Sequence, residues 1–149
     1  FETVRVALKV GYLGWDYHGA QRTDNLNGVE DRIFEALEKV NLIESKDTCE
    51  WSRCGRTDRG VSASTQIYSL KIRGAKKSEL DLEKRVQSLD YILNALNSAL
   101  PRDIFVYAYA IVFDEEQEAA NEKKSFDARF SCKSRSYKYF FDDENLNIP

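Results

Sequence analysis

Val4-Arg5-Val6-Ala7-Leu8-Lys9-Val10-Gly11-Tyr12 places Val4, Val6, Leu8, Val10 and Tyr12 on one side, and Arg5, Ala7 and Lys9 on the other. That alternation is the pattern of a strand with one buried face. Beyond a loop over 13–27, Val29, Ile33, Ala36, Leu37 and Val40 recur at helical spacing, so Gly28 to about Asn41 reads as an amphipathic helix. A second strand is expected from about Thr48 to Arg53. A third runs from Thr65 to Arg73, with Ile67 and Ser69 opposite Tyr68, Leu70 and Ile72. Gly74 and Lys76-Lys77 form a linker, and Leu82, Val86, Leu89, Leu93 and Leu96 spell a second helix ending near Leu100, before Pro101. Ile104 to Phe113 is strongly β-prone, Asp114 to Glu122 is an acidic connection, and the aromatic run Arg135 to Phe141 is expected as a last strand. The order is β-α-β-β-α-β plus an extra strand: an α+β fold on the ferredoxin-like plan, with helices on one face of the sheet. That plan carries many unrelated functions, so function has to come from particular residues.

At 149 residues, 42% hydrophobic and 12% aromatic, the chain suits one folded domain rather than a disordered one. No apolar run approaches a membrane span and no signal-peptide pattern opens the sequence, so a membrane is not among the expected partners. Three cysteines, Cys49, Cys54 and Cys132, without CxxC spacing argue against a zinc site and a secreted disulfide framework; reduced thiols in an intracellular protein are expected. The first residue, Phe1, and the turn-like ending at Pro149 suggest a fragment of a longer protein. Net charge is −3, but it is segregated. Trp51 to Lys77 holds seven basic residues against one acid, and Glu122 to Lys138 six against two. Such segregation can give an acidic protein a basic face.

The densest part of that charge is Ser52-Arg53-Cys54-Gly55-Arg56-Thr57-Asp58-Arg59-Gly60-Val61-Ser62-Ala63. One carboxylate, Asp58, sits among Arg53, Arg56 and Arg59, between two glycines that permit a tight turn. Nearby cations favour the charged form of an acid. The loop therefore reads either as a surface ion-pair cluster or as an ionised nucleophile or base facing a polyanion. Gly14-Trp15-Asp16-Tyr17-His18-Gly19-Ala20-Gln21 gathers aromatics and amides outside any periodic element. Its rings could be stacking platforms for bases or anchors to the core. His18, the sole histidine, reads as a loop hydrogen-bonder before a general base.

Five ordered blocks resemble the TruA-type family of tRNA pseudouridine synthases. They are Tyr12-Leu13-Gly14-Trp15-Asp16-Tyr17-His18-Gly19; Cys54 to Ala63 followed by Gln66; Leu93-Asn94 with Leu100-Pro101-Arg102-Asp103-Ile104; Phe126-Asp127-Ala128-Arg129-Phe130; and Arg135-Ser136-Tyr137-Lys138-Tyr139. Within the family they look most like the eukaryotic branch acting at uridines 38 and 39 of the anticodon arm, with a sister branch of wider targets second. Ala20 departs from the aromatic or larger residue usual before the glutamine.

The resemblance implies an isomerase that needs neither cofactor nor metal and acts on tRNA in the nucleus or cytoplasm. It implies Asp58 as the catalytic aspartate, Arg56 as its partner engaging RNA around a flipped nucleotide, and Tyr137 stacking on the target base. Arg53, Arg59, Lys71, Arg73, Arg129 and Arg135 are the expected RNA-binding residues, with Arg129 and Arg135 equally able to brace the loop and Arg53 and Arg59 undecided between frame and RNA contact. Phe126, Phe130, Tyr139, Phe140 and Phe141 are assigned to the core or to the far side of the last strand. The chain would be the N-terminal subdomain of a two-lobed catalytic domain, its C-terminal subdomain supplying the rest of the cleft; a homodimer is also open. The competing classes are an RNA-binding module of this fold without catalysis, and a protein–protein module.

Overall fold

The computed structural model describes residues 3–22, 24–25, 27–74, 82–112 and 125–145. Its elements are β1 (Thr3–Tyr12), α1 (Val29–Lys39), β2 (Ser52–Arg53), β3 (Ala63–Arg73), α2 (Leu82–Ala99), β4 (Ile104–Ile111) and a short 3-10 turn (Asp143–Asn145). The strands form one sheet in the order β2-β3-β1-β4, every pair antiparallel. This is the predicted α+β, split βαβ arrangement. The predicted acidic connection, the Lys76-Lys77 linker, Phe113, Lys123 and Lys124 lie outside the described residues.

The alternation in β1 works as read: Val4, Val6, Leu8, Val10 and Tyr12 are buried, with Tyr68, Leu70 and Ile72 of β3 beside them. Leu37 of α1 and Ile92, Leu93 and Leu96 of α2 converge on Val6, Leu8 and Ile72, so both helices cover the same sheet face. Burying a side chain such as Ile33 or Leu37 contributes roughly 1.5–3 kcal/mol, and both are fully buried. Asn97 clamps α2 to β4 by donating to the Val106 carbonyl at 2.6 Å and accepting the Val106 N–H at 2.8 Å. That clamp sits where β1 and β4 slip register between Lys9 and Val10.

On the other face Arg5 is buried. It pairs with Glu50 at 2.9 Å and donates to the Phe126 carbonyl at 3.3 Å. Lys71 reaches the second Glu50 oxygen at 2.8 Å. These groups seat the segment 125–131, whose Ala128 is buried and donates its N–H to the Ser69 hydroxyl.

Two sequence expectations are corrected. The second strand is only Ser52–Arg53, because residues 46–50 form turns and Glu50 adopts φ 50°, a left-handed conformation that interrupts a ladder. Arg135 to Phe141 is not a strand: no partner strand lies beside it among the described residues, and a strand without a ladder leaves its backbone groups unpaired. Accordingly Phe130, Tyr139, Phe140 and Phe141 are not core but 73–92% exposed, whereas Phe126 is half-buried.

Candidate active site

Two loops meet at the open end of the sheet where β1 ends and β3 begins. The Ala20 N–H donates to the Thr57 carbonyl at 3.0 Å, and the Gly60 N–H to the Tyr17 carbonyl at 3.1 Å. The Gly14 N–H donates to the Ser62 hydroxyl at 2.9 Å. The approach is close enough to require glycine. A Cβ on Gly14 would stand 1.9 Å from the Val61 carbonyl oxygen, and one on Gly19, already at φ 95°, 2.9 Å from that of Thr57. Behind them the Tyr12 hydroxyl bonds the Thr57 hydroxyl at 2.6 Å. Tyr17 donates to Asp103 at 2.7 Å. Burial first, and then the Asp103 carboxylate, push the Tyr17 hydroxyl above its ordinary pKa, so it stays a donor. Of the two loop aromatics left open by the sequence, Tyr17 is thus an anchor, while Trp15 is 75% exposed.

The Cys54-Gly55 turn is held from below by Gln66, which accepts from the Cys54 thiol and donates to the Gly55 carbonyl at 2.8 Å. Arg135 lies over the same turn and donates to the Cys54 carbonyl at 2.7 Å. This brings the far 135–137 segment back to the loop. Together they enclose a cleft of about 650 Å³ lined by Asp58, Arg56, Arg59, Arg135, Tyr137, Thr57, Gly19, Gln21, Arg22 and His18. Asp58, Arg56, Arg59 and Tyr137 are all exposed to it. The three residues singled out as catalytic therefore share one cleft, although Tyr137 is 79 positions from Asp58 in the sequence.

The expected ion pairing differs. None of Arg53, Arg56 and Arg59 pairs with Asp58 among the described residues. Arg56 instead donates to the Gln21 amide oxygen at 2.9 Å. Arg53, expected to meet RNA, turns inward and forks onto the fully buried Glu30 at 2.5 and 2.9 Å. Lys71 is held by Glu50, and Arg73 donates to Asn41. Both lie at the far end of β3, so that Lys71 is about 26 Å along the strand from Ala63. Arg129 packs over the exposed Phe130 ring at 5.2 Å, outside the cleft lining. Of the expected RNA-binding set, Arg59 and Arg135 are at the cleft. Among the described residues no cluster of His, Cys, Asp and Glu is arranged to hold a metal ion.

No protein-family model matches the sequence. Curated relatives do. Over 96% of the chain it is 41% identical to a bovine protein and 38% identical to a Saccharomyces cerevisiae protein, both named tRNA pseudouridine(38/39) synthase. Over 97% it is 34% identical to tRNA pseudouridine synthase A of Methanosarcina acetivorans. The chain spans 30%, 32% and 45% of those proteins' own lengths. The matches run along nearly all of the chain's residues, so the whole chain is similar to a part, less than half in length, of proteins named tRNA pseudouridine synthase.

Proposed function

We propose that the protein of which this chain is part converts uridine to pseudouridine in the anticodon arm of tRNA, at positions 38 and 39, with Asp58 as the reacting carboxylate. The observation that carries this reading is the cleft itself. An exposed carboxylate without an ion pair among the described residues lines the same cleft as an exposed tyrosine, together with Arg22, Arg56, Arg59 and Arg135. A pure phosphate-binding surface has no use for a carboxylate at its centre. The names carried by the bovine and yeast relatives support the substrate and the position.

The isomerisation breaks the N1–C1′ bond and forms a C5–C1′ bond; C5 loses a proton, N1 gains one, and no net electrons are exchanged. Asp58 either attacks C1′, forming an ester as uracil leaves with the bonding pair, or takes the C2′ proton to give a glycal. The freed uracil is anionic and must turn before C5 can rejoin C1′. Tyr137, 58% exposed, offers a face that a base can stack on while turning. A stacked or paired uridine is out of reach, so it must be flipped at a cost of a few kcal/mol, which the rim arginines offset by binding phosphates. The Gln21 amide that Arg56 contacts is neutral, so a charged RNA group, with which Arg56 makes a stronger charge-assisted bond, can displace it. In this reading the chain forms one lobe of the catalytic domain, and a second lobe of the same protein closes the cleft.

The test uses full-length protein and tRNA, with pseudouridine mapped at every uridine. Wild type is expected to give product at 38 and 39. Asp58→Asn and Asp58→Ala are expected to lose at least about a thousandfold in rate while still binding tRNA. Turnover in both variants would remove Asp58 from the chemistry. Product confined to other positions would move the protein to a sister branch, and tRNA binding without any product would leave a binding module.

A further inference from the structure

Glu30 ties the 18–22 wall of the cleft to the chain that leads into the Asp58 loop. It occupies the first turn of α1, is fully buried, and accepts four hydrogen bonds. One comes from the Arg22 N–H at 3.1 Å, on the 18–22 wall. The others come from the chain that leads into the facing 54–59 loop: the Trp51 indole N–H at 2.7 Å and the Arg53 guanidinium fork at 2.5 and 2.9 Å. Arg53 immediately precedes Cys54-Gly55-Arg56-Thr57-Asp58, and Trp51 is wedged between Tyr68, stacked at 4.5 Å, and Phe34 at 4.7 Å. The backbone repeats the link, the Glu30 N–H donating to Ala20, whose own N–H donates to Thr57. A carboxylate with two oxygens and four donors has little freedom, and truncating one partner of such a buried pair leaves the other charged and unsatisfied.

We infer that Glu30, through Arg53, is a positioning residue that sets where Asp58 and Arg56 stand across the cleft. The inference rests on the proposed reaction. Its consequence is that a change at Glu30 lowers the chemical rate without weakening tRNA binding, because neither Glu30 nor Arg53 belongs to the cleft lining.

Two variants of the full-length protein test it. Glu30→Gln keeps the shape but faces donors with an NH2 group. Arg53→Lys keeps the charge but not the fork, and carries the test if Glu30→Gln does not fold. Single-turnover rates at saturating tRNA are expected to fall about 10- to 100-fold, with the tRNA dissociation constant within about threefold of wild type. The side-chain carboxyl 13C resonance of Asp58, assigned by its loss in Asp58→Asn, is expected to shift in both variants. Wild-type rates in folded variants, rate losses matching the lost folded fraction, or an unmoved Asp58 resonance would overturn the inference. Wild-type protein that makes no pseudouridine would sink the proposed reaction instead, and the Asp58 resonance would still decide the role of Glu30.

Discussion

The Tyr68 hydroxyl is fully buried in the centre of the sheet and has no hydrogen-bond partner among the described residues. Burial above all, then the nearby Glu30 charge, push its pKa well up. Its ring stacks on Trp51 and its hydroxyl carries only a desolvation cost. Tyr68→Phe is therefore expected to stabilise the fold by up to about 1 kcal/mol, read as a higher urea midpoint at unchanged slope. What the structure adds to the sequence reading is proximity: Asp58 and Arg56, marked by their place in an arginine-rich loop, and Tyr137, marked only by the family resemblance, line one cleft. Glu30 was not singled out, although a signal exists. It falls three and seven positions before Ile33 and Leu37, on the buried stripe of α1, where a carboxylate needs a partner. The partner of that carboxylate, Arg53, has the same cause for being undecided in sequence: a charge count does not tell which way a side chain points.

Among the elements, the turn at 127–131 holds the chain's return to the cleft. Asp127 accepts the Ser52 hydroxyl and the N–H groups of Arg129 and Phe130, and Ser131 answers by accepting the Asp127 N–H. Burial alone would raise the Asp127 pKa; the Phe130 N–H, the Ser52 hydroxyl, the Arg129 N–H and the Arg5 charge outweigh it and lower it. A depressed folded-state pKa means the contribution is present above the ordinary carboxylate value, about 3.9, and is lost as pH falls through the folded one. Asp127→Ala is expected to cost about 1–2 kcal/mol, and the variant should be less sensitive to acid below about pH 4 than wild type. Urea titrations at neutral and acid pH check both. Why β1 and both helices could be read while Arg135 to Phe141 could not has a local cause. A helix satisfies its own backbone and β1 carries a buried face, but aromatic β-propensity becomes a strand only where another strand offers a ladder.

For the whole molecule, the count of basic residues overstates the basic surface. Arg5 and Lys71 are taken up by Glu50, and Arg53 by Glu30, whereas Arg135 and Arg59 stay exposed at the cleft. In the proposed tRNA complex, Arg135→Gln is expected to lower the slope of log affinity against log salt by about one. Lys71→Gln is expected to leave it unchanged. Equilibrium binding across a salt series separates the two, and an equal drop for both would return Lys71 to the RNA surface. One further consequence comes from the loops at 14–20 and 57–62, pressed together so tightly that Gly14 and Gly19 have no room for a methyl group. Neither loop is a transferable part. A chimera that takes the Arg56-Thr57-Asp58 loop from a relative and keeps its own 13–22 stretch inherits mismatched halves of one joint, so the unit that can be exchanged, lengthened or shortened is the pair.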